Sequence, residues 1–172
     1  MKKIAVLYWP AGGNTEEAAR KIFAMLGEGN TIASLDEAAS LHLADFDCFI
    51  AGGATTGAET WEKATTSNNW SKFFATNENL MLSSKKVALF GLGDQVLYPN
   101  HFVDQLEYLR DEFAKRGAEI IGRWPVEGYK FEESRSVDDG HFFGLALDDD
   151  NQPELTGRRI AEWVNQIKRE IL

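Results

Sequence analysis

The sequence predicts an open, doubly wound α/β fold: a parallel sheet of five strands with helices on both faces, and an insertion interrupting the last strand. Two observations carry this. Short apolar runs alternate with amphipathic segments along most of the 172 residues, the pattern of doubly buried strands joined by crossover helices. Three of the five runs end in loops rich in Gly, Thr or Asp. Right-handed crossovers make such a sheet open, and its ligand then sits at the carboxyl ends of the strands, where strand order reverses.

The elements follow in order. Ile4 to Tyr8 is a continuous apolar run and the first strand. After Gly12-Gly13, a helical pattern runs from Thr15 to about Leu26, with Glu16 and Glu17 suiting the positive end of its dipole. Asn30 to Ala33 is a short second strand. Phe46 to Ala51 is the third, ending in Gly52-Gly53, and Lys86 to Phe90 is the fourth, ending in Gly91-Leu92-Gly93. Phe102, Leu106, Leu109 and Phe113 line one face of the next helix, which Gly117 closes. Ala118 to Ile121 begins the fifth strand. Between Gly122 and Asp150 the alternation fails, and the segment with Trp124, Tyr129, Phe131, Phe142 and Phe143 reads as a packed meander inserted into that strand. Phe143 to Leu147 is the resumed half. Ile160, Trp163, Val164, Ile167 and Ile171 mark a C-terminal helix. One domain, 1–172, accounts for the chain.

Composition narrows the function. No apolar run approaches the ~20 residues of a membrane span, and no signal peptide is visible. Cys48 is the only cysteine, which excludes an internal disulfide and a zinc site of paired thiolates. It lies in an apolar run and reads as a small buried hydrophobe. A reducing cytoplasm fits. The net charge of −9 repels nucleic acid and anionic membranes; it serves either encounter with a basic protein partner or plain solubility. His42, His101 and His141 lack metal-ligand spacing, so no metal site is expected.

Three loops hold the candidate chemistry. Pro10-Ala11-Gly12-Gly13-Asn14-Thr15 joins the first strand to the first helix. It reads either as an anion site of backbone N–H groups with the Thr15 hydroxyl, or as a plain turn capped by Asn14 or Thr15. It matches neither a nucleotide-triphosphate loop nor G-x-G-x-x-G. In the second loop, Ala54-Thr55-Thr56-Gly57 offers backbone groups to the edge of a flat heterocycle. Trp61 there is either a stacking ring or a residue packed under the following helix. The third loop runs from Gly91, Leu92 and Gly93 through Asp94 to Tyr98-Pro99. Tyr98 is a stacking candidate, and Asp94 either places a charge beside that ring or bonds its own turn.

From Gly91-Leu92-Gly93-Asp94-Gln95 and Tyr98-Pro99 onward the chain resembles the long-chain flavodoxins. The likeness continues through Trp124-Pro125, Glu127-Gly128-Tyr129, Phe131 to Ser134, Gly144 to Asp148, Asp150-Asn151-Gln152 and Leu155-Thr156 to Trp163. It covers nearly the whole chain. It implies a flavodoxin-like fold, FMN as cofactor, and one-electron transfer at low potential to partner proteins with basic docking surfaces. By this resemblance the first loop holds the FMN phosphate and the second flanks the ring. Tyr98 covers the outer ring face, Asp94 lies near the pyrimidine edge, His101 lies near the flavin and Asp150 near the ribityl chain.

Three departures stand out. The family phosphate loop is usually S/T-x-T-G-x-T, whereas here Pro10 and Gly12 occupy the first two hydroxyl positions and Thr15 alone remains. Thr56 stands where the inner stacking Trp is expected, with Trp61 a candidate substitute. His101 stands where an Asn is frequent. The resemblance implies a monomeric carrier with no catalytic residue. The alternative is a flavodoxin-like binding or regulatory module with weak or absent FMN binding; a flavin or quinone reductase is disfavoured because no nicotinamide fingerprint is present.

Overall fold

Five consecutive apolar residues, all buried, form the inner strand β1 (Ile4–Tyr8). The computed structural model describes residues 2–55 and 69–172, and every strand and helix below lies among them. Beside β1 run β2 (Thr31–Ser34) and β3 (Cys48–Ala54), both parallel to it, with Val6 opposite Ile32 on one side and Ile50 on the other. β4 (Lys86–Leu92) pairs in parallel with β3 along its whole length. The order is therefore β2-β1-β3-β4, with one further position beyond β4.

Two strands share that last position. β5 (Glu119–Ile121) pairs with Lys86 to Ala88, and β9 (Leu145–Leu147) pairs with Phe90 to Leu92. The edge strand is thus broken opposite Leu89, as the sequence pattern led us to expect. Gly144 makes the return possible. A Cβ at Gly144 would lie 2.2 Å from the Leu89 carbonyl oxygen, closer than any side chain can sit. The departing end is pinned as well: the Trp163 indole donates to the Gly122 carbonyl at 2.7 Å, and the Gly122 N–H donates to Glu170 at 2.7 Å.

The inserted segment forms a small antiparallel sheet, β6 (Trp124–Pro125), β7 (Val137–Asp138) and β8 (His141–Phe142), in the order β6-β8-β7. Its aromatics do the packing foreseen for them. Phe131 stacks on Phe102 at 5.5 Å, and Tyr129 meets Phe142 edge-on at 5.1 Å. The Tyr129 hydroxyl accepts from Trp124 Nε1 at 3.0 Å and donates to the Ala146 carbonyl at 2.5 Å. Burial pushes its pKa up to about 12, so it remains a donor. The Arg159 guanidinium covers its ring at 3.9 Å.

Helices cover both faces. α1 (Asn14–Leu26) buries Thr15, Ala18, Ala19 and Ile22, and α5 (Pro153–Ile171) buries the apolar stripe from Ile160 to Ile171. α4 (Gln105–Lys115) packs Leu106, Leu109 and Phe113 inward and ends at Gly117, whose φ of +92° suits glycine. Phe102 is buried with them but precedes the helix. The sequence reading missed α2 (Leu35–Ala38), a single turn with a capping box between Ser34 and Glu37. It also missed α3 (Asn69–Thr76), which buries Trp70, Phe73 and Phe74. Both lie where short segments blur the helical period.

Candidate functional site

In a sheet of order 2-1-3-4-5 the strand order reverses between β1 and β3, and a crevice opens at their carboxyl ends. A cleft of about 400 Å³ lies there. Its floor is made where β3 and β4 end, at Ala54, Thr55, Leu92 and Gly93. Pro10, Asn14 and Thr15 close one end, at the start of α1. Asp94 and Tyr98 from the loop after β4, and Asp150 from the loop after β9, close the other. The three predicted loops thus meet in one place, although they come from distant parts of the chain.

The first loop is shaped by its glycines. Gly12 has φ of +84°, and Ala11, Gly12, Gly13 and Asn14 are all exposed. Gly13 occupies the N-cap position of α1 and makes no side-chain cap, so neither Asn14 nor Thr15 caps this helix. Thr15 lies within the first turn instead. It is 2% exposed and lines the cleft, beside N–H groups that a helix start leaves without internal partners.

Thr55 has another engagement. Its hydroxyl accepts the N–H of Gln105 at 3.0 Å, which tethers the end of β3 to the start of α4. Its contribution to the cleft is its place on the floor. Thr56, Gly57 and Trp61 lie outside the described residues.

The third loop is the most firmly held. Asp94 Oδ1 accepts the N–H groups of Val96 and Leu97 at 3.0 and 2.8 Å, and the Asn151 amide at 2.8 Å. Burial alone would raise this carboxyl, but the bonds from Leu97, Asn151 and Val96 outweigh it and hold it below the usual carboxylate value. Asp94 therefore bonds its own turn and also lines the cleft. Beneath it lies Asp148, fully buried, whose Oδ2 accepts Gln95 N at 3.1 Å and Gln95 Nε2 at 2.8 Å. Gln95 Oε1 in turn accepts the Lys130 N–H from the insertion. Opposite, burial first and then the charges of Asp94, Asp148 and Asp149 raise the pKa of Asp150.

Two expected residues stand apart. Gly91 is buried within β4 against Leu106 rather than in the cleft. His101 is not among the residues lining it: its Nδ1 lies 3.0 Å from Asp104 Oδ2, a carboxylate that is 1% exposed and also accepts the Arg135 N–H at 2.8 Å. A buried acid one helical turn ahead draws the ring to the insertion side. Conversely, Leu97 and Asp149 line the cleft and were not singled out from sequence. Leu97 and Val96, 65% and 67% exposed, form an apolar rim beside it. Two exposed apolar residues just before Tyr98 were the available signal.

Order 2-1-3-4-5, a broken edge strand and this cleft define a flavodoxin-like α/β protein with a crevice at its switch point. Residues 6–163 match the flavodoxin family model. The chain is 39% identical over 171 residues to the flavodoxin of Trichodesmium erythraeum (strain IMS101), covering 99% of this chain and 98% of the relative. It is 41% identical over 160 residues to flavodoxin 1 of Escherichia coli (strain K12), covering 92% and 89%. The crystal structure of Fusobacterium nucleatum flavodoxin bound to flavin mononucleotide superposes with a TM-score of 0.84 at 28% identity, covering 99% of each chain. This chain belongs to the flavodoxin family of electron-transfer proteins, and its length and interrupted last strand are those of the long-chain members.

Proposed function

We propose that the cleft binds FMN and that the protein carries single electrons to partner proteins. The observation that supports this most is the convergence of Thr15 at the start of α1 with Tyr98 across one cleft at the switch point. The residues fit such a ligand. A volume of about 400 Å³ lies within the usual range for small-molecule sites of roughly 300–1,000 Å³. The first-turn N–H groups of α1 and the nearly buried Thr15 offer donors to a phosphate at one end. The half-buried Tyr98 offers a ring face at the other.

FMN, when bound, accepts and returns electrons one at a time. The chain's own part is to hold the ligand and set the field around it. Tyr98, kept in place by the turn that Asp94 organises, covers one ring face. Asp94, Asp149 and Asp150 crowd the same cleft, and their field opposes added negative charge there. That keeps electron donation at low potential. The apolar rim of Val96 and Leu97 is where a partner approaches, and the charge of −9 favours a partner with a basic docking surface.

The same reading makes the protein a cytoplasmic, monomeric, single-domain carrier without catalytic residues. Among the described residues no helix is long and apolar enough to cross a membrane. Burial raises the pKa of the single thiol, Cys48, and keeps it in its inert form.

The test is absorbance of the purified protein with FMN, followed by anaerobic reductive titration. A bound-flavin spectrum and two separable one-electron steps are expected. Failure to take up FMN from excess cofactor sinks the proposal and leaves a binding module of the same fold.

A further inference from the structure

The loop between β1 and α1 already holds an anion. Glu16 folds back from the first turn of α1 so that its Oε2 accepts the Gly12 N–H at 2.6 Å. Its Oε1 accepts from Arg20 Nε at 2.9 Å and Arg20 Nη2 at 2.6 Å. Tyr8, 3% exposed, adds a small effect in the same direction as Gly12 and Arg20, lowering the Glu16 pKa. The Gly12 bond first, then Arg20, holds the Glu16 carboxyl below its ordinary value, so it is ionised at neutral pH.

The missing hydroxyl and this internal anion arise from one residue. The N–H of Gly12 meets Glu16 because Gly12 adopts φ of +84°, a conformation strained for threonine or any other β-branched residue. At the position where the family pattern supplies a hydroxyl for phosphate, this loop spends its N–H on a carboxylate. A residue in the first helical turn that reaches back to a loop N–H can also be simple capping. The two roles differ in what they need: capping needs an acceptor, whereas competition with a phosphate needs the charge.

We propose that Glu16 sets the specificity of the phosphate end of the site, as an internal carboxylate that a phosphomonoester must displace from the Gly12 N–H. The inference rests on the FMN reading above. FMN and inorganic phosphate meet Glu16, whereas riboflavin, which has the same ring and no phosphate, does not. The protein therefore discriminates between FMN and riboflavin less than its ring contacts and backbone donors would allow.

The experiment titrates the wild-type protein, Glu16→Gln and Glu16→Ala with FMN, riboflavin and inorganic phosphate, by flavin fluorescence and calorimetry. Glu16→Gln keeps the acceptor and the shape while removing the charge. FMN is expected to bind it about three- to tenfold more tightly, the scale of one removed repulsion near a surface. Inorganic phosphate should tighten in parallel, and riboflavin should stay within about twofold of wild type, the outcome of removing a charge only a phosphate feels. An unchanged or smaller FMN-to-riboflavin affinity ratio in both variants overturns the proposal. If no form binds either flavin, the cofactor reading falls by itself, and phosphate then decides on Glu16. Tighter phosphate binding in the variants supports the role, and equal or absent binding refutes it.

Discussion

Replacing Asp148 with alanine should loosen the third loop and destabilise the whole protein. Asp148 is fully buried at the end of β9 and accepts two bonds from Gln95, which is itself 2% exposed. It also accepts from the Asn151 N–H at 3.0 Å and from the Asn151 amide. Asn151 is exposed and can turn to water, so its bonds count for little. The two Gln95 donors cannot. Each buried donor left without a partner costs ~1–3 kcal/mol, which puts the loss at about 2–6 kcal/mol. At roughly 2–4 °C per kcal/mol for a chain of this size, a loss near the middle of that range lowers Tm by about 8–16 °C. Asp148→Asn keeps one acceptor oxygen and should fall between alanine and wild type. Urea unfolding with the m-value held constant measures both. A loss under ~1 kcal/mol for Asp148→Ala would refute the reasoning, because Gln95 would then have another way to satisfy its donors.

Three further predictions follow from other parts of the molecule. Tyr98→Ala removes a half-buried cleft wall, so FMN and riboflavin should weaken together, by ~1–3 kcal/mol as for other stacked rings; flavin fluorescence titration reads this, and a selective loss of FMN alone would contradict it. Gly144→Ala places a Cβ 2.2 Å from the Leu89 carbonyl oxygen and should cost about 3 kcal/mol, at the upper end for overpacking; a thermal melt equal to wild type would show that the edge strand re-enters differently. The Asp94 carboxyl lies below its ordinary value of 3.8 in the folded protein, so the stability it contributes is present above that pH and is lost as pH falls through the folded-state value. Asp94→Asn should therefore be less stable than wild type at neutral pH, with the difference closing in acid; a gap that persists below the carboxylate range in pH-dependent urea unfolding would refute this assignment.

Much of the site was legible because chemistry and chain position coincide in an α/β sheet. Gly12-Gly13 after β1 and Asp94 with Tyr98 after β4 had to lie at carboxyl ends once the strands were recognised, and they do. Side-chain direction was less legible. His101 was expected beside the cleft, but the buried Asp104 holds it elsewhere. Thr55 was expected to offer backbone groups, and that its hydroxyl is taken by the start of α4 could not be read from the sequence. In both cases the deciding partner follows several residues or a whole strand later, and no local pattern announces it.

The sequence by itself determined the open, doubly wound class and the break in the last strand, because uniformly apolar runs must be buried on both faces and right-handed crossovers leave few ways to arrange them. It also determined that the loop after β1 lacks two hydroxyls of the family pattern, with Pro10 and Gly12 in their places. What became of the freed donors was decided by the tertiary structure. Only the folded loop brings the Glu16 carboxylate, clamped by Arg20 and backed by Tyr8, onto the N–H of Gly12. A hydrogen bond depends on distance and direction, and a left-handed glycine sets both.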